Sequence, residues 1–271
     1  MFPINVALQG VLDESLKTTV DRARFVLEAS GGAVRGFEIF ATPQFVFSEH
    51  DLVREDLFAL CREYPATTLH VYRGDHPEAE YLDRFLGVAD DFLDQGVALR
   101  GSVFHPGDIT DISGLESLAR KGLFVAAEVL GSDADQGVRP EEFDALFSAY
   151  SWLTMTLDTA HIMETYAHGG PDLAAFARRF APRVRQVHVS WSGNLYDPSR
   201  MEDDFDTNHC LLTLAPEPYP GLREALNLLD HPVITIEGVI PGSDYGKTLL
   251  NKETTLLGGL LAELAPGDSP I

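Results

Sequence analysis

Short apolar runs alternate with longer amphipathic stretches along almost the whole chain. The short runs are rich in β-branched and aromatic residues, which is typical of strands buried in a parallel sheet. Eight strands are predicted on this basis, at 4–8, 36–40, 68–72, 101–105, 123–128, 152–158, 184–188 and 233–237. In the stretches between them, apolar residues recur at the period of a helix. Amphipathic helices are predicted at 16–27, 52–60, 81–93, 115–123, 143–150, 173–180, 222–229 and 249–264.

This alternation, without a linker rich in proline, glycine or serine, is typical of parallel βαβ units. A closed (β/α)₈ barrel of the TIM type needs ~250 residues, and the chain has 271. We therefore predict a single α/β domain, a TIM barrel over residues 1–264, with a flexible C-terminal tail at 265–271. A doubly wound open sheet is the alternative, but no G-x-G-x-x-G motif follows the first predicted strand.

Charge narrows the classes of ligand. The chain carries 42 Asp and Glu against 20 Lys and Arg, a net charge of −22. Such a chain repels polyanions, and no Lys or Arg cluster is large enough to neutralise a row of phosphates. A small, sugar-like substrate is therefore expected rather than nucleic acid.

Other features of the composition are unremarkable for a globular protein. No apolar run approaches the ~20 residues of a membrane span, and the N-terminus lacks the regions of a signal peptide. A cytoplasmic protein is predicted, and homo-oligomerisation stays open. Cys61 and Cys210 show neither metal nor redox spacing, so both are expected to be reduced thiols.

Polar residues with catalytic chemistry gather where the predicted strands end. Active sites of TIM barrels lie at the C-terminal ends of the strands. An ionised carboxylate there, such as Asp158 after a buried apolar run, is costly unless something pairs with it or binds it. The candidates at or near strand ends are His70, His105, Glu128, Asp158, His188 and Glu237, with His161 just past strand six and Asp206 and His209 in the connection after strand seven.

The remaining histidines are expected to have other roles. His231 precedes strand eight, so it is predicted to lie at the opposite end of the barrel with a structural role. His50 and His76 fall in or at the start of helical stretches, and His168 falls in a loop. All three are predicted to be solvated surface residues.

Three carboxylates in one barrel mouth, Glu128, Asp158 and Glu237, would repel one another unless they are protonated or bridged by a cation. A divalent metal would remove that conflict. Together with His188 they form a mixed oxygen and nitrogen ligand set that suits Mn²⁺, Mg²⁺, Co²⁺ or Zn²⁺, and further histidines favour Zn²⁺.

These residues resemble the motifs of the xylose isomerase-like TIM barrels. That superfamily includes sugar isomerases and epimerases and endonuclease IV, of AP endonuclease family 2. The resemblance runs strand by strand over nearly the whole chain, and its most specific element is L-D-T-x-H followed by a strand ending in His and another ending in Glu. The motifs are F-H-P-G at 104–107, A-E at 127–128, L-D-T-A-H at 157–161, V-H-V at 187–189 and T-I-E-G at 235–238.

The isomerase and epimerase branch implies one metal, held by residues that match Glu128, Asp158, His188 and Glu237. In that branch the two glutamates also act as acid and base on opposite faces of a ketose, while the metal stabilises an enediolate. The residue that matches His161 would orient the substrate or a carboxylate. The resemblance thus predicts an isomerase or epimerase of carbohydrate metabolism.

The endonuclease IV branch implies three zinc ions and a larger ligand set. His70, His105, His161, Asp206 and His209 would then be additional ligands, although Asp206 and His209 are one residue further apart than in the family pattern. A zinc phosphodiesterase or other hydrolase is therefore the alternative function. A barrel that binds metal and ligand without turnover is a third.

Four further residues are candidates for substrate binding. Trp191 and Tyr196 lie in the long connection after strand seven and could stack on a sugar ring as a lid. Gln9 and Glu38 lie at the ends of or inside strands one and two and could line the pocket. Packing inside the barrel explains these two nearly as well.

Overall fold

A computed structural model of the chain describes residues 2–192, 209–215 and 218–264. Eight parallel strands close into a barrel in which each strand pairs with its neighbours in sequence. The first and last strands close the ring through the pairing of Ile4 with Ile234. The strands are β1 (Ile4–Ala7), β2 (Gly36–Ala41), β3 (Thr68–Val71), β4 (Gly101–Phe104), β5 (Phe124–Glu128), β6 (Thr154–Asp158), β7 (Val184–Val189) and β8 (Val233–Ile236).

Helices surround the barrel, so the predicted single-domain (β/α)₈ TIM barrel is confirmed. They are α1 (Thr19–Ser30), α2 (His50–Glu63), α3 (Glu78–Asp94), α4 (Glu116–Arg120), α5 (Pro140–Ala149), α6 (Thr159–Ala167), α7 (Leu173–Phe180), α8 (Leu222–Asn227) and α9 (Asp244–Leu264). Among the described residues, no helix combines the length and the apolar character that a membrane crossing needs.

Three local differences from the predicted elements bear on function. Helix α6 was not among the predicted helices; its sequence directly follows Asp158 and contains His161, which was placed only just past strand six. The predicted helix 115–123 is a 3-10 turn, Ile112–Leu115, followed by the short α4. Leu8, Tyr72, His105 and Glu237 were predicted as the last residues of strands, but each lies one position past its strand.

Alternation along the strands separates an apolar outer surface from a polar interior. In β2, Phe37 and Ile39 join the apolar core beneath the helices, while Glu38 between them faces the inside of the barrel. Strand β7 repeats the pattern, with Val187 in the apolar core and His188 inside. Below the barrel mouth, the interior therefore carries a buried polar layer formed by Glu38, Thr68, Thr156, Gln186 and Thr235.

The prediction for His50 was wrong. This residue begins α2, where its side chain is fully buried, and its ring contacts those of Phe45, Phe58 and Phe92. Neither ring nitrogen has a hydrogen-bond partner among the described residues. Because burial disfavours the charged imidazolium, the pKa of His50 is lowered.

The other histidines and the cysteines, which were not predicted to belong to the site, lie where they were expected. His76 and His168 are exposed. His231 is exposed too, with a φ of 48° and a ring centroid 5.0 Å from that of Phe2, before β8 begins. Cys61 and Cys210 are both buried and form no disulfide within the described part of the chain. The predicted tail at 265–271 lies outside the described residues.

Candidate metal centre

The strand ends bring the predicted ligands together at one mouth of the barrel. Glu128 and Asp158 are the last residues of β5 and β6, and His188 is the penultimate residue of β7. Four groups of side chains there have ligand atoms within 4.8 Å of one another. One is formed by Glu38, His70, His188 and Glu237. The other three groups are linked by Glu128 and Asp158. They are His70, His105 and Glu128; Glu128, Asp158, His188 and Glu237; and Asp158, His161 and His209.

The central group is built around His188. Its Nδ1 lies 2.8 Å from Oε1 of Glu128, 2.9 Å from Oε2 of Glu237 and 3.8 Å from Oδ2 of Asp158. All four side chains are buried. Three carboxylates around one nitrogen form the mixed shell that the sequence predicted, and such a shell suits a divalent cation.

The second group joins β3, β4 and β5 through Oε2 of Glu128. This oxygen lies 3.4 Å from Nε2 of His70 and 3.2 Å from Nε2 of His105. The two Nε2 atoms are 3.1 Å apart. His70 is fully buried, whereas the His105 side chain is 25% exposed, so this group reaches from the barrel interior to the open mouth.

Helix α6 explains how the third group forms. Asp158 is the N-cap of α6, and its Oδ1 accepts a hydrogen bond of 2.7 Å from the backbone N–H of His161. This cap places the His161 ring one helical turn from the carboxylate. Oδ2 of the same carboxylate lies 4.0 Å from Nδ1 of His209, and the rings of His161 and His209 have centroids 4.9 Å apart.

Several buried polar atoms of the centre lack a hydrogen-bond partner among the described residues. They include Oε2 of Glu128, Oδ2 of Asp158 and Oε2 of Glu237. The two glutamate oxygens lie close to histidine nitrogens but are not aligned with them as hydrogen-bond acceptors. Buried polar groups rarely stay unpaired, and carboxylate and imidazole lone pairs are what a divalent cation binds. The residues therefore fit a metal.

Without a metal, protons must compensate the clustered carboxylates. Burial opposes charge on His105, but the nearby carboxylates of Asp108 and Glu128 raise its pKa to about 10. Burial likewise opposes charge on His161, yet Asp158 and Glu164 raise its pKa to about 9. Burial raises the pKa of Glu237 to about 7, although His188 acts in the opposite direction.

His188 and His70 respond to their surroundings in opposite ways. Burial disfavours the charged form of both, but Glu237, Glu38 and Glu128 together raise the pKa of His188 well above its usual value. For His70 burial dominates and its pKa is lowered. Protons held by such groups must leave when a metal binds, which makes metal affinity depend on pH.

Most of the histidines have a polar partner on the side away from the candidate ligands, and the sequence did not identify these partners as a set. Nδ1 of His105 lies 3.5 Å from Oδ2 of Asp108, and Nδ1 of His161 lies 3.6 Å from Oε2 of Glu164. Glu164 also accepts a hydrogen bond of 2.8 Å from Ser192. The i, i+3 spacing of both His–carboxylate pairs was the available signal.

The predicted substrate-binding residues have different positions. Trp191 is buried and packs against Tyr219 in a small apolar cluster with Met163 and Cys210, so the prediction that it stacks on a substrate is wrong for the structure described. Tyr196 lies outside the described residues, as does the proposed ligand Asp206.

Gln9 and Glu38 differ in accessibility. Gln9 is exposed and lines a cleft of ≈ 140 Å³ together with Lys17 and Arg22. Phe40 also lines this cleft and stacks on His70, with ring centroids 4.0 Å apart. Glu38, by contrast, is fully buried below the mouth and contacts His70 and His188.

Comparison with solved structures places this geometry in a known fold. A crystal structure of the probable 3-DHS dehydratase AsbF from Bacillus anthracis aligns over 94% of this chain and 98% of its own, with a TM-score of 0.62 and 13% identity. Endonuclease IV from Thermus thermophilus aligns over 96% and 99%, with a TM-score of 0.60 and 20% identity. A xylose isomerase domain protein from Planctomyces limnophilus aligns over 97% of both chains, with a TM-score of 0.56 and 14% identity.

The chain has the fold of the xylose isomerase-like TIM barrels. No protein-family model and no curated protein matches its sequence. At these identities the structural likeness shows the fold alone. The three similar structures are those of a probable dehydratase, an endonuclease and a xylose isomerase domain protein, so different proteins share this fold.

Proposed function

We propose that the protein is a metal-dependent hydrolase whose centre holds two or three divalent cations, with Zn²⁺ preferred, and that it cleaves a small phosphoester. The observation that carries the proposal is the sharing of Glu128 and Asp158 among three adjacent ligand groups. A centre for a single metal would need only Glu128, Asp158, His188 and Glu237. Such a centre would not use His70, His105, His161 and His209 as ligands.

The protein residues would act mainly by holding the cations and orienting the substrate. Divalent cations bound at these groups would supply positive charge that stabilises the negative charge developing on a phosphoryl group. The partly exposed rings of His105, His161 and His209 surround the open side of the centre, whereas Glu128, Asp158 and His188 form its buried floor. A substrate would therefore approach over the three histidines. The net charge of −22 favours a small phosphoester over a nucleic acid.

A ketose isomerase or epimerase is the second candidate, because one observation favours it. Glu128 and Glu237 lie on either side of Nδ1 of His188, at 2.8 and 2.9 Å. Two glutamates around one metal site are the arrangement that proton transfer next to a carbonyl needs. The pKa of Glu237, raised by burial to about 7, suits proton exchange near neutral pH.

Metal stoichiometry and a pair of histidine variants separate the two reactions. We expect protein purified without a chelator or a histidine tag to contain two or three equivalents of zinc and to hydrolyse bis(4-nitrophenyl) phosphate. His209→Ala should lose one equivalent and most of this activity. His168→Ala, the same change at an exposed histidine, should lose neither.

A single equivalent of metal, with solvent deuterium entering a ketose and no phosphodiester cleavage, would contradict the hydrolase and support the isomerase. Metal-free protein that gains no activity with added Zn²⁺, Mn²⁺ or Co²⁺ would contradict both.

A further inference from the structure

Glu38 is the most completely enclosed carboxylate of the barrel interior. It lies in the middle of β2, below the mouth, and is fully buried. A buried ionised carboxylate is costly unless hydrogen bonds or opposite charges compensate it. Its surroundings on β3 and β7 supply these hydrogen bonds.

Four side-chain groups converge on the two oxygens of Glu38. Oε1 lies 3.3 Å from Nδ1 of His70. Oε2 accepts a hydrogen bond of 3.2 Å from Oγ1 of Thr68 and another from the side-chain amide of Gln186, and it lies 3.2 Å from Nε2 of His188. A carboxylate has about four lone-pair positions. Oε2 is therefore fully engaged by three partners, while the one contact of Oε1 is with His70.

Gln186 fixes the direction of the hydrogen bond between His188 and Glu38. The two protons of its amide are directed to Oε2 of Glu38 and to Oγ1 of Thr235, the latter at 2.8 Å. The amide nitrogen is also 3.0 Å from Nε2 of His188, but it has no third proton to donate. Nε2 of His188 must therefore carry a proton and donate it to Glu38.

The same carboxylate faces the other ring nitrogen in His70. Nδ1 of His70 faces Glu38, so Nδ1 carries the proton, and Nε2 is left with its lone pair toward Glu128 and His105. In His188 the Nε2 proton is held by Glu38, so Nδ1, which faces Glu128 and Glu237, is the nitrogen that gives up its proton when a metal binds. Each histidine thus presents one nitrogen to a different ligand group.

We propose that Glu38 is the positioning residue of the centre: one carboxylate, in contact with both histidines from below the mouth, turns Nε2 of His70 and Nδ1 of His188 toward the metal groups and so prepares two adjacent groups at once. The inference rests on the proposed metal centre. Partners that orient a metal-binding histidine from behind contribute about 10- to 100-fold to metal affinity. Here a single substitution would affect both groups.

The test compares two buried glutamates. Glu38→Gln keeps the size of the side chain but replaces one acceptor oxygen by a donor. Glu253→Gln is the matched control, because Glu253 is equally buried in α9 and accepts hydrogen bonds from the backbone N–H groups of Leu212 and Thr213, at 2.9 and 2.8 Å, instead of from histidines. Affinity is measured by titrating metal-free protein with Co²⁺, whose visible absorption reports nitrogen ligands.

We expect Glu38→Gln to bind Co²⁺ about 10- to 100-fold more weakly at two equivalents and to change the absorption spectrum, with circular dichroism unchanged. Glu253→Gln should bind as the unsubstituted protein does. Unchanged affinity and spectrum in Glu38→Gln would overturn the inference and leave the proposed function intact. Failure of the unsubstituted protein to bind any metal would instead overturn the proposed function.

A second measurement needs no substitution and applies even if Glu38→Gln does not fold. The measurement is ¹⁵N NMR of the zinc-loaded protein with ¹⁵N-labelled histidine. We expect His188 to coordinate the metal through Nδ1 and His70 through Nε2. Coordination of His188 through Nε2, the nitrogen beside Glu38, would overturn the inference. That result would make Glu38 itself a ligand.

Discussion

Two regions of the molecule bury histidines completely, and the ring nitrogens have different partners in the two regions. In the barrel mouth, each nitrogen of His70 and His188 faces a carboxylate or another histidine. In the helical layer, His50 is equally buried, but aromatic rings surround it and neither nitrogen has a hydrogen-bond partner among the described residues. Burial alone therefore does not identify a functional histidine. The chemistry on its two nitrogens does.

The strongest way to break this comparison is to remove the carboxylate that two groups share. In Glu128→Gln, a weak neutral ligand replaces the anion that contacts both His188 and His70. We expect metal affinity to fall by more than the roughly 100-fold upper value for orienting partners, with activity at background. Metal analysis and a Zn²⁺ titration check this result. Retention of the full metal content would show that Glu128 is not a ligand.

A smaller effect is expected in the pH dependence of folding stability, measured on the metal-free protein. The pKa values of His161 and His105 are raised to about 9 and about 10 in the folded protein, above the ordinary value of 6.5. Above pH 6.5 the folded state therefore holds protons that the unfolded state has released. Their contribution to stability is complete below pH 6.5 and is lost as the pH rises through 9 to 10.

We therefore expect the free energy of unfolding of metal-free protein to decrease between pH 7 and pH 10. Zinc binding at pH 7.5 should release protons, since the metal replaces them. Urea titrations at several pH values test the first expectation. Calorimetry in two buffers with different ionisation enthalpies tests the second, and a binding enthalpy that is independent of the buffer would contradict it.

The smallest expected effect belongs to His50. Burial lowers the pKa of His50, so its contribution to stability changes with pH in the opposite direction. The folded state favours the neutral ring, and stability is lost as the pH falls below 6.5. His50→Leu removes two unpaired buried nitrogens, and we expect it to raise the free energy of unfolding by about 1 kcal/mol at pH 7 and by more at pH 5. Metal content should not change. The matched variant His188→Leu should lose metal, and equal metal loss in both variants would refute the distinction.

The sequence predicted the barrel well because a closed parallel sheet imposes its own pattern. Apolar runs such as Val187 and Val189 around His188 mark a strand whose outer side is covered by helices. The rule that active sites lie at the C-terminal ends of barrel strands then located Glu128, Asp158 and His188. Boundaries were less accurate, since Tyr72 and Glu237 continue the strand pattern without making the strand pairings.

The parts that sequence could not predict depend on contacts between distant elements. Glu38 reaches Gln186 and His188 across the barrel, and nothing local in β2 indicates these partners. The burial of His50 depends on Phe92 of α3, which is distant in sequence. Trp191 was predicted to stack on a substrate because it lies in the long connection after strand seven, yet its ring is buried against Tyr219, which is distant in sequence.

The short antiparallel pairing after β7 has a consequence for engineering the protein. Ser192 pairs with His209, and Trp191 pairs with Cys210. Oγ of Ser190 is also 2.9 Å from Nδ1 of His209. Because these contacts hold positions 192 and 209 next to each other, we expect that a foreign segment of another length can be grafted between them. The cost of closing a longer loop grows only slowly with its length. New substrate preferences could thus be introduced by loop exchange while His209 keeps its place.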